Sequence, residues 1–162
     1  MVSYPNEFFR GISSESFCFE NNLARPTLFY DFDNVNRADG FNELSITWND
    51  NDESVDIISN QKKSSGELQF KVGLAVLQRS ILDIAKHNIQ FKGILKYERK
   101  ASHDNPYHGN ILLKAGEDKQ KRNMVASFLA MNSRVILRDE DTGKIKLSSY
   151  GMGLLFDDVE NL

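Results

Sequence analysis

Two of the three histidines lie close together in a polar stretch, residues 103–110, whose sequence is HDNPYHGN. The Asn-Pro pair marks a turn, so His108 is expected at the entry of a strand, which would hold its ring in a fixed direction. Because imidazole titrates near neutral pH, His103 and His108 are candidates for a general acid and base. With Asp104 they would also offer metal ligands, but zinc sites usually have more ligands, and we predict no metal. The competing interpretation is a β-turn in which Asn105 and His108 bond the backbone.

A single arginine, Arg10, lies in the aromatic and aliphatic segment 8–12. An isolated buried charge is very costly, so this side chain must be paired or must face a polar cleft. Guanidinium groups contact phosphate or carboxylate through two parallel hydrogen bonds, which favours an anchor for an anion. A buried pair with one of the many N-terminal acids is equally consistent with the sequence.

Segment 43–48 alternates between apolar and polar residues, and its polar side carries Glu43, Ser45 and Thr47. If the chain is an enzyme, we expect this polar side to line a cleft beside the histidine and the arginine. The candidate catalytic residues are then His108, Glu43 and Ser45, and the candidate ligand-binding residues are Arg10, Asn105 and His103.

Other catalytic patterns are incomplete. The acidic run 31–36 lacks the glycine of a calcium-binding loop and has Val35 at a ligand position. Residues 98–100, Glu-Arg-Lys, resemble half of a metal-dependent nuclease core, but the upstream acid, Asp83, falls in a predicted helix. The sequence contains neither a phosphate-binding loop nor a dinucleotide-binding fingerprint, and we predict no cofactor.

The elements that must position these residues follow from the spacing of apolar side chains. Alternation with period two predicts strands, and the 3.6-residue period predicts helices. In the clearest helix, the stripe that includes Met124, Phe128 and Met131 is expected to be core. The order of elements is typical of an α+β domain with a mixed or largely antiparallel sheet of about six strands and about three helices on one face. The predicted strands cover 27–32, 43–48, 68–77, 89–97, 110–114 and 134–138, with a weaker one at 144–148, and the predicted helices cover 51–61, 79–88 and 117–132.

The chain of 162 residues is long enough for one domain, which we expect to span residues 1–162. Its net charge of −3 hides an uneven distribution, since residues 1–60 carry −8, residues 61–138 carry +9 and residues 139–162 carry −4. We expect residues 149–162 to form a loosely packed acidic tail. Either the acidic and basic segments pack together, or segment 61–138 faces nucleic acid. That segment lacks interleaved aromatic residues that would stack on bases, which favours packing.

Several classes of protein are excluded. One cysteine, Cys18, allows no intramolecular disulfide. No apolar run approaches the ~18 residues of a spanning helix, and the N-terminus lacks a secretory signal. We therefore predict a cytoplasmic protein without a membrane partner; the sequence leaves its oligomeric state open.

Three short motifs occur in a familiar order: Phe-Arg-Gly-Ile at 9–12, Glu-Leu-Ser-Ile at 43–46, and Asn-Pro-Tyr-His-Gly-Asn-Ile at 105–111. This order resembles a group of small bacterial proteins with an arginine-containing start, a Leu-Ser-aliphatic strand and an Asn-Pro-x-His turn. The resemblance implies a bacterial or phage origin and suggests that Arg10, Ser45 and His108 converge. It implies no reaction.

Two hypotheses about function remain. The first is a binding or accessory protein that acts through protein–protein contacts in a bacterial system, in a defence or toxin-immunity setting. It rests on the lack of a complete catalytic set and on the uneven charge, which suits docking to a charged partner. The alternative is a small enzyme acting on a nucleotide or RNA, with Arg10 as the phosphate anchor and His108 as the general acid or base.

Overall fold

The structure is a computed structural model and describes residues 3–147. Six strands form one antiparallel sheet in the order β4-β5-β2-β1-β3-β6, accompanied by three α-helices. This confirms the predicted α+β fold. The predicted tail, 149–162, lies outside the described residues.

The elements are β1 (Glu7–Ile12), β2 (Phe41–Trp48), α1 (Asp52–Ser59), β3 (Gly73–Gln78), α2 (Arg79–His87), β4 (Leu95–Arg99), β5 (His108–Lys114), α3 (Lys119–Met131) and β6 (Ser133–Leu137), with short 3₁₀ helices at Glu15–Phe17 and Pro26–Phe29.

The sheet separates two hydrophobic cores. Side chains alternate along a strand, so the neighbours Phe8 and Phe9 of β1 enter opposite cores. The larger core contains Phe8 and is covered by α2 and α3, while the smaller one contains Phe9 and is covered by α1 through Ile58. The expectation that all helices lie on one face is therefore wrong. Helix α1 begins at a capping box built on Asn51, which fixes where it starts against the sheet.

Acidic and basic segments of the chain do meet, on the polar face of β4, β5 and β2. Arg37 forms ion pairs with Glu43 and Glu98, and Lys100 lies 3.1 Å from Glu43. On the opposite face of β4, Arg99 of the basic segment forms an ion pair of 2.6 Å with Asp50 of the acidic segment. Part of the charge of segment 61–138 is thus neutralised within the molecule.

Strands β1 and β2 part from each other soon after they meet. Phe8 pairs with Trp48 and Phe9 with Thr47, and the register between these two strands ends there. By contrast, β1 pairs with β3 along its whole length, and β2 pairs with β5 from Phe41 to Thr47. The sheet therefore has a gap between the second half of β1 and the first half of β2.

None of the helices within residues 3–147 has both the length and the apolar character needed to cross a membrane.

Candidate functional site

The side chain of Arg10 fills the gap between the parted strands. Its Nη1 donates a hydrogen bond of 2.8 Å to the carbonyl oxygen of Ser45, and its Nε donates one of 3.2 Å to that of Leu28. A backbone amide of the neighbouring strand would normally satisfy such a carbonyl. The guanidinium thus takes the place of a β-ladder bond and ties β2 to the 3₁₀ helix at Pro26–Phe29.

A cleft of about 360 Å³ opens at this gap. Four of the six residues that we predicted as site residues line it: Arg10, Ser45, Asn105 and His108. They arrive from β1, β2, the turn before β5, and the start of β5. Thus Arg10, Ser45 and His108 do share a cleft, although Arg10 contacts the Ser45 main chain rather than its hydroxyl.

The charge of Arg10 is balanced at a distance. Burial lowers the pKa of its guanidinium, and the carboxylates of Asp33 and Asp31 act in the opposite direction. Both carboxylates line the same cleft and are exposed. No ion pair within 4.0 Å joins Arg10 to a carboxylate in the part of the chain that the structure describes. The cleft therefore holds one cation and two anions without direct pairing among them.

The ring of His108 is fixed by the backbone. Its Nδ1 lies 2.9 Å from the carbonyl oxygen of Lys100. A carbonyl oxygen can only accept, so Nδ1 carries the proton in this bond, and in a neutral ring Nε2 is then an acceptor. His108 pairs across the sheet with Thr47, which places both on the face that lines the cleft.

Asn105 is buried, with 3% of its surface exposed, and supports the floor of the cleft. Its Nδ2 donates to Thr47 Oγ1 at 2.9 Å, and its Oδ1 accepts from the backbone amide of Tyr107 at 2.9 Å. Both Asn105 and His108 therefore bond backbone atoms, as the turn interpretation predicts, while they also line the cleft.

The remaining two predicted residues do not reach the cleft. Glu43 lies on the same face of β2, but its carboxylate binds Arg37 and Lys100 instead. His103 is exposed in the turn before β5 and does not line the cleft. Residues 3–147 contain no group of three or more His, Cys, Asp or Glu side chains that could hold a metal ion.

Sequence reasoning missed several lining residues. Gln61 and Gln69 also line the cleft, and Gln61 Nε2 donates to Gln69 Oε1 at 2.9 Å. Nothing local marks them, because the chain between them must fold back first. Asp31 and Asp33 did carry a signal: they flank Phe32, which packs on the larger core, so both carboxylates must point outward.

Comparison of the chain with known protein families, with curated proteins and with solved structures finds no match in any of the three. The predicted bacterial or phage origin and the defence setting stay predictions.

Proposed function

We propose that this chain is a binding or accessory protein, and that its cleft receives a positively charged or zwitterionic group presented by a protein partner. One observation carries the proposal: the exposed carboxylates of Asp31 and Asp33 line the cleft beside the single guanidinium of Arg10. A basic side chain of a partner would find two acceptors there.

The charge balance also bears on the phosphate-anchor hypothesis. Two of the three nitrogens of Arg10 already donate to backbone carbonyls, at Ser45 and Leu28. A phosphate bound at Arg10 would enter a cleft that is also lined by the carboxylates of Asp31 and Asp33, and like charges at short range repel. A lysine or arginine side chain gains from the same carboxylates. The volume, about 360 Å³, lies near the lower end of ligand pockets, which span roughly 300–1,000 Å³, and suits one side chain or a small molecule.

The hydrogen bonds of the cleft favour recognition over nucleophilic catalysis. A serine nucleophile needs a base within hydrogen-bond reach. Within residues 3–147, the ring of His108 bonds Lys100 rather than Ser45, and the Thr47 hydroxyl accepts from Asn105. Amide, hydroxyl and carboxylate groups thus offer donors and acceptors without an assembled nucleophile–base pair.

Titration with small probes tests this proposal. We expect N-acetyl-arginine amide to shift the amide NMR signals of cleft residues, and inorganic phosphate and adenosine monophosphate to leave them unchanged. Replacing both carboxylates in Asp31→Asn/Asp33→Asn should weaken arginine-amide binding about tenfold, that is by about 1.4 kcal/mol. Asp56→Asn, an exposed acid on α1 that does not line the cleft, is the matched control. Binding of the phosphate probes alone, or no binding at all, would overturn the proposal.

The enzyme alternative has one observation in its favour. The bond from His108 Nδ1 to the Lys100 carbonyl leaves Nε2 as the acceptor, which is the tautomer that a general base requires. We therefore keep a nucleotide- or RNA-directed enzyme as the second candidate function. Its test is mass spectrometry of nucleotides and short RNA after incubation with the protein. Turnover that is lost in a folded His108→Ala variant would support it, and no turnover by the unmodified chain would exclude it for those substrates.

A further inference from the structure

A second concave surface lies beside α3 and shares no lining residue with the cleft. We call it the α3 groove, and its volume is about 770 Å³. One wall is the helix itself, and the other is the turn between α2 and β4. Gln120, Met124, Ser127 and Met131 line it from α3, and Phe91 lines it from the turn.

The groove exposes apolar surface that the fold does not need. Met131, which lines the groove, is 84% exposed, and Ile89, in the adjacent turn but outside the groove lining, is 92% exposed. The prediction that Met131 belongs to the core is therefore wrong. The core side of α3 is already complete, since Val125 and Leu129 are fully buried on it. Large apolar side chains left exposed around a concave surface are typical of an interaction site.

The groove is already formed in the free chain. The rings of Phe91 and Phe128 contact each other at a tilt of 52°, with their centroids 5.8 Å apart, and both rings line it. Lys121 Nζ donates a hydrogen bond of 2.9 Å to the carbonyl oxygen of Gln90, which ties the turn to the helix. Preformed walls lower the entropic cost of binding.

The spacing along α3 fits a helical partner. Gln120, Met124, Ser127 and Met131 are four, three and four residues apart, so they follow one straight stripe along the helix. The stripe is about 16 Å long at 1.5 Å per residue, which corresponds to three turns of a second helix. Methionine side chains adapt to varied apolar surfaces and are common at such sites.

The charged residues of the groove indicate which kind of partner helix would bind there. Lys119 lines it, and no carboxylate does so in the part of the chain that is described. Exposed Lys92 follows Phe91 directly. From this geometry and charge we infer that the α3 groove binds an amphipathic helix of a partner protein, with acidic residues flanking its apolar face.

Peptide selection tests this inference on the full chain. A phage-displayed library of peptides about 14 residues long, or four helical turns, is selected on the protein, and the enriched peptides are then synthesised. We expect apolar residues at i, i+3, i+4 and i+7 with acidic neighbours, and shifts of the amide NMR signals of α3 and residues 88–91. Met131→Asp should lower affinity about tenfold, and Lys119→Glu should lower it with a weaker dependence on salt. Ile84→Asp changes an exposed apolar residue of α2 outside the groove and should leave affinity unchanged.

Four outcomes would overturn the inference: no enrichment, enriched peptides whose shifts map elsewhere, tighter binding by a peptide of this chain's own residues 150–162, and displacement of the peptides by RNA. The third would assign the groove to this chain's own acidic segment. The fourth would assign it to nucleic acid, with affinity falling steeply as salt rises. None of these results depends on the cleft, so the two proposals fail separately.

Discussion

Asn105 donates a 2.9 Å hydrogen bond from Nδ2 to Oγ1 of Thr47, across 58 residues of chain. Both residues are buried, with 3% and 2% of their surface exposed. The bond links the turn before β5 to the point where β2 leaves β1. It explains why an Asn-Pro turn and a strand hydroxyl are brought together at the floor of the cleft.

Asn105→Ala should lower the free energy of unfolding by about 1–3 kcal/mol, because it leaves the Thr47 hydroxyl and the Tyr107 amide without their partner. Urea unfolding measures this change. Asp104→Ala, one position earlier and exposed, is the matched control and should change little. Equal stability of the two variants would show that this hydrogen bond does not hold the turn.

Gly109→Ala tests the close approach of β5 to Trp48. A Cβ atom at this glycine would overlap Trp48 Nε1 and the carbonyl oxygen of Glu98, two atoms that share a 3.0 Å hydrogen bond. We expect a loss of about 1–3 kcal/mol, as for other overpacked sites. Trp48 is the only tryptophan of the chain, so its fluorescence reports this site directly. Ser45→Ala, on an exposed position of β2, is the control.

Arg37 should govern part of the acid sensitivity of the fold. Its hydrogen bonds hold the pKa values of Glu98 and Asp39 below their ordinary range. A carboxyl group with a lowered pKa in the folded state contributes stability at neutral pH, and that contribution is lost as the pH falls below about 4. In Arg37→Met the urea midpoint should therefore fall less between neutral and acidic pH than in the unmodified chain. An unchanged pH profile would show that these pairs are fully screened by solvent.

Arg10→Lys should destabilise the chain although it keeps the charge. A lysine has a single nitrogen in place of the fixed fork that reaches both the Ser45 and the Leu28 carbonyls. One of these carbonyls then loses its partner, at a cost of about 1–3 kcal/mol if water does not replace it. Arg25→Lys is the comparison, since exposed Arg25 donates to the Cys18 carbonyl in a similar way. Thermal unfolding of both variants measures the difference.

The sequence locates β2, β5 and β6 closely, for two different reasons. Strand β2 has one polar face, which carries Glu43, Ser45 and Thr47. Strands β5 and β6 instead contain short runs of consecutive buried apolar residues, which are typical of a strand covered on both faces. Strand β1 was missed because Phe8 and Phe9 are both buried, on opposite faces, which erases the period of two. Segment 27–32 is no strand but begins as a 3₁₀ helix at Pro26, whose ring fixes φ and removes a ladder donor.

Two strands begin several residues later in the chain than predicted. Segment 68–77 becomes strand only at Gly73, and Leu68 instead forms an isolated bridge with Lys62. Segment 89–97 becomes strand only at Leu95, after the turn that forms one wall of the α3 groove. Residues 144–147, within the weak prediction 144–148, form no strand, and residue 148 lies outside the described part. Phe70, Val72 and Phe91 reach the core from outside the strands, whereas Ile89 is exposed. The period of apolar residues alone does not distinguish such residues from those of a strand.

Two residues of the candidate site could be predicted from the sequence, because burying their side chains without a hydrogen-bond partner costs free energy. Arg10 among aromatic residues and Asn105 beside a proline both required a specific environment, and the structure supplies it. The contact between Gln61 and Gln69 depends on how the loop between them folds back, and the ion pair of Arg37 with Glu98 joins residues 61 positions apart. One sequence reveals neither the conformation of that loop nor the register of the strand that carries Glu98.

The parting of β1 and β2 also has a mechanical consequence. Three strands, β4, β5 and β2, lie on one side of this line, and three, β1, β3 and β6, on the other. Between β1 and β2, a load applied across the sheet is borne by two residue pairs, by two hydrogen bonds from Asn49 to Glu7, and by the side chain of Arg10. The sheet should therefore yield first along this line, and a molecule bound in the cleft would share the load.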